Sequence, residues 1–140
     1  MLTPKNSRRA AAVVVVLLAG YGWSSLATSA AAQLPTITRN VLLQHVLAIP
    51  RHEVTMIAQE IPVGGREGKH THPGMLVAYI QEGALTVEYE GGRAVTYKAG
   101  DTFYLAPGTV HEGINKGNTP MKALGTFISE KGAPLMTPVP

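Results

Sequence analysis

The chain has 140 residues, no cysteine and a formal net charge of +3 at pH 7. Without cysteine there are no disulfides, no thiolate metal sites and no thiol catalysis. The excess positive charge comes from Lys5, Arg8 and Arg9, and the nine remaining Lys/Arg balance nine Asp/Glu. A formally neutral remainder argues against nucleic acid or an anionic membrane surface as a partner.

Residues 1–32 have the pattern of an export signal. Basic residues precede an apolar run from Ala10 to Ala19, and Ala30-Ala31-Ala32 offers a small-residue cleavage site before Gln33. We expect this signal peptide to be removed, which places the mature protein in the periplasm or outside the cell. An uncleaved membrane anchor is the alternative, but the run is shorter than the ~20 apolar residues of a spanning helix. General secretion and the twin-arginine route both remain compatible with Arg8-Arg9.

After the leader, the sequence predicts short strands separated by turns. Residues 33–48 are expected to form an N-terminal extension and a first strand, because β-branched neighbours favour strand for the apolar stretch Val41–Ile49. Residues 49–130 are expected to form the main domain. Residues 131–140 contain three prolines and are expected to be an irregular tail.

Alternating apolar and polar residues predict the strands of the main domain, and Gly- or Pro-rich segments predict its turns. The predicted strands are Glu53–Ile61, a short strand carrying His70 and His72, Met75–Gln81, Ala84–Glu90, Arg93–Lys98, Thr102–Ala106, Thr109–Asn115 and Met121–Ser129. Gly91-Gly92 marks a hairpin. Eight or nine short strands with no helical period predict an all-β sandwich or barrel.

Two histidines, His70 and His72, are the most informative pair in the chain. Alternate residues of a strand project to the same face, about 6.6 Å apart along its axis. Gly64-Gly65 before the pair and Pro73-Gly74 after it frame a short strand between turns. This spacing lets two imidazoles converge on one metal ion, and His111 is expected to supply the third.

These residues resemble the two motifs of the cupin family of small β-barrels. The first motif is commonly written G-x5-H-x-H-x3,4-E-x6-G, and its positions are occupied here by Gly64, His70, His72, Leu76 in place of the glutamate, and Gly83. The second is G-x5-P-x-G-x2-H-x3-N, and its positions are occupied by Gly100, Ala106 in place of the proline, Gly108, His111 and Asn115. The resemblance implies a single-domain double-stranded β-helix, or jelly roll, over residues 49–130, with a metal at His70, His72 and His111.

Three neutral imidazoles suit iron, zinc, copper or nickel, and they leave coordination positions open for water, dioxygen or a substrate. Cupin sites of this type usually add a glutamate, so Leu76 makes the expected centre neutral and less suited to manganese. Glu67 and Glu112 are the carboxylates that could substitute, but each is expected to be an ordinary solvated glutamate, with Glu112 facing away from His111. His45 and His52 are expected to be surface or structural histidines.

An apolar pocket is expected around the metal. By alternation, the residues expected to line it are Met56, Ala58, Leu76, Ala78 and Ile80, although plain core packing explains them equally well. Such a pocket suits a hydrophobic or aromatic small molecule. Tyr79 and Tyr104 are the only nearby hydroxyls considered for acid–base chemistry. Tyr79 is expected to pack instead, and no catalytic residue is assigned.

The sequence therefore favours an exported cupin that binds a divalent transition metal and a small organic molecule. If it is an enzyme, a metal-dependent dioxygenase is the first expectation, and an isomerase, lyase or decarboxylase the next. The alternatives are a non-catalytic module that stores or senses a metal or small ligand, and a barrel that a metal merely stabilises. A homodimer is also expected, since small cupins often dimerise.

Overall fold

The computed structural model describes residues 36–140, so the predicted signal peptide, residues 1–32, lies outside the described residues. The described residues form strands, turns and no helix, and they contain no helix able to cross a membrane. The strands are β1 (Thr38–Val46), β2 (His52–Ile61), β3 (His70–Thr71), β4 (Met75–Glu82), β5 (Ala84–Tyr89), β6 (Ala94–Lys98), β7 (Thr102–Leu105), β8 (His111–Ile114), β9 (Met121–Glu130) and β10 (Thr137–Pro138).

The strands form two antiparallel sheets, with the orders β1-β2-β9-β4-β7 and β10-β3-β8-β5-β6. The all-β prediction is confirmed, and the strands predicted between residues 49 and 130 end within two residues of the observed ones. The first strand begins earlier than predicted, at Thr38, and ends at Val46. The tail runs mostly without regular structure but contributes β10, which pairs with β3.

Two of the motif glycines lie in turns whose backbone conformation would be strained for any other residue. Gly83 has a φ of 71° and separates β4 from β5, and a Cβ there would lie 2.7 Å from the carbonyl oxygen of Pro120. Gly100, with a φ of 94°, separates β6 from β7. Both positions lie in the left-handed region that glycine adopts without steric cost. The glycines of the motifs thus set where the strands reverse.

The core lies between the sheets and consists of two clusters of buried apolar side chains. The first cluster comprises Ile61, Ile80, Leu85, Val87, Met121 and Ala123. The second comprises Ile57, Leu76, Ala78, Leu105 and Phe127, and it surrounds the site described below. The two sheets contribute inward side chains in alternation, as a half-buried antiparallel sheet requires.

The inward face of β2 is the opposite of the predicted one. Ile57 and Ile61 are buried, whereas Met56 and Ala58, which were expected to line the barrel, lie on the partly exposed outer face. The prediction was wrong because β2 carries apolar residues on both faces, and Thr55 on the inner face is polar. Alternation alone does not choose between two such faces.

Asn115, the last residue of the second motif, fastens the loops at one end of the barrel. Its side chain is completely buried. Nδ2 donates to the carbonyl oxygens of Ile61 and Thr119, at 2.9 and 2.8 Å, and Oδ1 accepts from the backbone N–H of Gly117 at 3.0 Å. One amide therefore ties the end of β2 to the turn between β8 and β9.

Candidate metal centre

The structure brings His70, His72 and His111 together between the sheets. His70 lies in β3 directly opposite His111, the first residue of β8, and His72 follows β3 by one residue. Their exposed fractions are 1%, 6% and 4%. One ring nitrogen from each residue lies within 4.8 Å of the other two. Among residues 36–140 this is the only such cluster of potential metal ligands.

Each of the three imidazoles is held by a backbone carbonyl. The Nδ1 atoms of His70, His72 and His111 lie 2.8, 2.6 and 2.9 Å from the carbonyl oxygens of Gly68, Leu135 and Thr109, respectively. A carbonyl oxygen only accepts hydrogen bonds, so each Nδ1 carries the proton and each Nε2 carries the free lone pair. Carbonyl partners of this kind fix tautomer and ring orientation in metal sites. The donor set therefore fits a divalent transition metal.

Burial keeps His72 and His111 in the neutral form that binds metals. The pKa of His72 is lowered to about 4, chiefly by removal from water; the Leu135 carbonyl and Glu67 act against this shift, and the nearby rings of His70 and His111 contribute to it. Burial likewise lowers the pKa of His111. A buried histidine loses the water that stabilises its charged form. His72 and His111 are consequently neutral at pH 7, and neutral imidazole is the ligand form.

The C-terminal tail forms part of the site. Besides the Leu135 carbonyl on His72, the Leu135 and Met136 side chains line the cavity. β10 pairs with β3 at His70 and Thr71, and the Val139 N–H donates to the Lys69 carbonyl at 2.9 Å. The tail therefore holds the histidine strand from one edge.

Deleting residues 134–140 is expected to weaken metal binding by about 10- to 100-fold, the usual effect of losing a group that orients a ligand. His72 would lose its carbonyl partner, and β3 would lose its neighbour β10. Competition with a chelator of known affinity measures the change. Leu135→Ala is the matched control because it keeps the carbonyl, and it should bind metal nearly as the wild type does. Equal affinity of the truncated and wild-type proteins would contradict the assignment of the tail to the site.

The cavity beside the histidines is small and mainly apolar. Its volume is about 50 Å³, which accommodates only a few water molecules. The apolar side chains that line it include Ile57, Leu76, Ala78, Phe103, Phe127 and Leu135. The ring of Phe127 meets that of His72 edge to face, with centroids 5.0 Å apart. Leu76, at the usual glutamate position, is thus one of the cavity's apolar walls.

Several residues considered from the sequence lie away from the cavity. Tyr79 and Tyr104 are exposed on the outer face of the first sheet, and Tyr79, which was expected to pack, is 44% exposed. His45 is exposed on β1, and Nδ1 of His52 lies within hydrogen-bond distance of the Pro50 carbonyl oxygen, outside the cavity.

Glu112 faces away from the cavity, but it is not solvated. Its carboxylate is buried in a bidentate pair with Arg66, at 2.9 and 2.7 Å.

Glu67 lies in the cavity, contrary to expectation. It was expected to be solvated, but its side chain is only 11% exposed and lines the cavity with the three histidines. Oε1 accepts from Nη2 of Arg39 at 2.8 Å and from Nε2 of Gln59 at 2.6 Å. Strand alternation would place residues 67 and 70 on opposite faces, but Gly68, with a φ of 76°, interrupts the extended backbone and lets both side chains point to the same side. Gly68 was the one feature of the sequence that could have indicated this.

The comparisons with known proteins agree with this architecture. The cupin domain family matches residues 58–127. A protein with a double-stranded β-helix domain from Klebsiella pneumoniae is 21% identical, with 75% of this chain and 85% of that chain covered and a TM-score of 0.60. The polyketide cyclase RemF from Streptomyces resistomycificus is 17% identical, with 74% and 70% covered and a TM-score of 0.59.

The DMSP lyase DddQ from Ruegeria pomeroyi is also similar, at 19% identity and a TM-score of 0.56, with 61% of this chain and 43% of that chain covered. Likeness at these identities concerns the fold alone. A search of curated proteins gave no significant match. The family match extends over half of the 140 residues and includes both motifs in full, from Gly64 to Asn115. With the double-stranded β-helix fold beside it, this match shows that the chain belongs to the cupin family.

Proposed function

We propose that the protein is an exported cupin that binds one divalent transition metal through His70, His72 and His111 and acts on a small organic molecule beside it. The observation that carries this proposal is the set of three buried imidazoles, each with Nδ1 bonded to a carbonyl. Iron, zinc, copper and nickel all fit such a donor set.

A bound divalent metal would supply a Lewis-acidic centre with open coordination positions. The chain's own residues provide the surroundings. His70, His72 and His111 would hold the ion, and the apolar walls leave room for only a few water molecules beside it. Because three neutral ligands leave the ion's charge uncompensated, the site favours a ligand with an electron-rich oxygen.

Metal analysis of the purified protein tests the site. We expect about one transition-metal ion per chain, as a single three-histidine centre holds, and near-complete loss of it in the His70→Ala/His111→Ala double variant. His45→Ala/His52→Ala is the matched control, because these two histidines lie outside the cavity. A wild-type protein without metal, or a double variant that retains it, would refute the proposed site.

Oxygenase chemistry is the reaction class that we propose first. It is supported by the open three-histidine donor set and the apolar cavity. Isomerase, lyase and decarboxylase chemistry are the next candidates, and the fold shared with a lyase favours lyase chemistry among them. Oxygen uptake by the metal-loaded protein with small diketones and phenols tests the oxygenase proposal, with the His70→Ala/His111→Ala variant as control. Uptake equal in both proteins would contradict it.

A metal-stabilised barrel without turnover is the second candidate. The small volume of the cavity, about 50 Å³, favours it because little space remains for a substrate. Under this alternative, metal raises the melting temperature, and neither ligand binding nor oxygen uptake accompanies it. The same metal-loaded preparations distinguish the two candidates.

Export and dimerisation belong to the same proposal. The sequence pattern of residues 1–32 supports cleavage before Gln33. A homodimer is supported by the apolar side chains exposed on the outer face of the first sheet, Met75, Val77, Tyr79 and Tyr104, and by the formal neutrality of the mature chain, which imposes no net repulsion between copies. The intact mass and light scattering of periplasmic protein check both points.

A further inference from the structure

Glu67 is the only carboxylate that lines the histidine cavity, within residues 36–140. Its backbone is fixed to β8, because its N–H donates to the Gly113 carbonyl at 3.0 Å and the preceding Arg66 forms a bridge to Ile114. Its side chain is fixed by Arg39 from β1 and Gln59 from β2. Three strands therefore hold this carboxylate in one position.

The two oxygens of Glu67 have different surroundings. Oε1 accepts both hydrogen bonds from Arg39 and Gln59, whereas Oε2 has no protein hydrogen-bond donor among the described residues. Oε2 lies against Gly113, where any Cβ would overlap it. The absence of a side chain at residue 113 thus makes room for Oε2 beside the cavity. It is an acceptor that only water or a ligand can satisfy.

We propose that Glu67 is a specificity-determining residue, which selects ligands that carry an N–H or O–H donor next to the oxygen bound at the three-histidine centre. The inference rests on the proposed function. A ligand that displaces water from this small cavity without offering a donor leaves a carboxylate oxygen unpaired in apolar surroundings, which is costly. A ligand that donates to Oε2 avoids this penalty. The substrate class is therefore a small hydroxy-, enol- or amide-type carbonyl compound.

Glu67 acts here as a recognition group and not as a fourth metal ligand. The cluster of potential ligands contains the three histidines alone, and Glu67 does not join it. Its negative charge nevertheless acts on two of the histidines: it raises the pKa of His72 and His111, although burial lowers both by more. The carboxylate thus belongs to the ligand space next to the proposed ion.

The substitution Glu67→Gln should reverse the polarity of this position while keeping its shape. Arg39 and Gln59 both donate to the Oε1 position, so the amide oxygen of a glutamine must occupy it. The amide NH₂ then takes the place of Oε2 and faces the cavity. An acceptor is exchanged for a donor at the same point.

Two isomeric chelators test the proposal on zinc-loaded protein by isothermal titration calorimetry. Propionohydroxamic acid and N-methylacetohydroxamic acid have the same atoms and chelate through the same two oxygens, but only the first carries an N–H. We expect the wild type to prefer propionohydroxamic acid by about tenfold or more, the value of a hydrogen bond to a charged acceptor. The preference should disappear or reverse in Glu67→Gln.

Glu112→Gln is the matched control, since this second buried carboxylate faces away from the cavity and pairs with Arg66. It should keep the wild-type preference. Arg39→Gln, on the exposed strand β1, releases one anchor of Glu67 and should lower the preference partway even if Glu67→Gln fails to fold. Equal preference in the wild type and Glu67→Gln, or none in the wild type, overturns this inference alone. A wild-type protein that takes up no zinc overturns the proposed function with it.

Discussion

Metal-free protein is expected to lose about 2 to 3 kcal/mol of its free energy of unfolding between pH 7 and pH 4 through His72 alone. The ordinary pKa of a histidine side chain, which applies to the unfolded chain, is 6.5, whereas the pKa of His72 in the folded chain is about 4. Each pH unit of that gap corresponds to about 1.4 kcal/mol, and the total is reduced somewhat for screening by water at the cavity mouth. His111, whose pKa is also lowered, adds to the loss.

The sign follows from proton binding. Between pH 6.5 and about 4 the unfolded chain holds a proton on His72 and the folded chain does not, so acid favours unfolding throughout this window. Above pH 6.5 neither state is protonated there, and below pH 4 both are. The loss therefore begins near pH 6.5 and is complete near pH 4.

Urea denaturation of chelator-treated protein at several pH values measures the effect. The carboxylates of the chain also titrate at the acid end, so the informative quantity is the difference between the wild type and His72→Gln. This variant should show a shallower fall in the free energy of unfolding by the amount assigned to His72. Parallel pH profiles of the two proteins would mean that burial of His72 has no such consequence.

Asn115→Ala is expected to lower the free energy of unfolding by about 3 kcal/mol. The variant loses three hydrogen bonds, each worth about 1 kcal/mol net, and it leaves the Ile61 carbonyl buried without that partner. Asn115→Asp should cost at least as much despite its similar shape, because a carboxylate oxygen would face the two carbonyl oxygens that now accept from Nδ2.

Urea unfolding at pH 7 measures both variants, and Asn118→Ala is the matched control from the exposed turn that follows. A surface substitution of this kind usually changes stability by less than about 0.5 kcal/mol. An Asn115→Ala protein as stable as this control would show that water replaces the amide without cost. The motif asparagine would then have no structural role at the end of the barrel.

The fold could be predicted from the sequence because the alternation of apolar and polar residues and the positions of the turn residues agree along the whole domain. The strand bounds between residues 49 and 130 follow from alternation and from glycines such as Gly83 and Gly100. Alternation failed on β2, where Met56 and Ile57 give both faces an apolar character. Only the register against β9 and the closure of the second sheet over it decide which face is inside.

The three histidines could be identified from spacing, but their surroundings could not. The carbonyl partner of His72 comes from Leu135, 63 residues away, in a tail without a strand pattern. Glu67 was assigned to solvent because its position was judged from local sequence alone. Its burial depends on Arg39 and Gln59 from two other strands, and such long-range contacts leave no periodic pattern to read.

The position of Leu135 beside His72 has a practical consequence for how the protein is produced. A polyhistidine tag fused after Pro140 would follow the carbonyl that orients His72 by five residues and would bring six further imidazoles close to the cavity. Such a tag competes for the same ions and would inflate the apparent metal content. An N-terminal tag would be lost with the predicted signal peptide, so a histidine-free C-terminal affinity tag, removed by a protease before metal analysis, suits this chain.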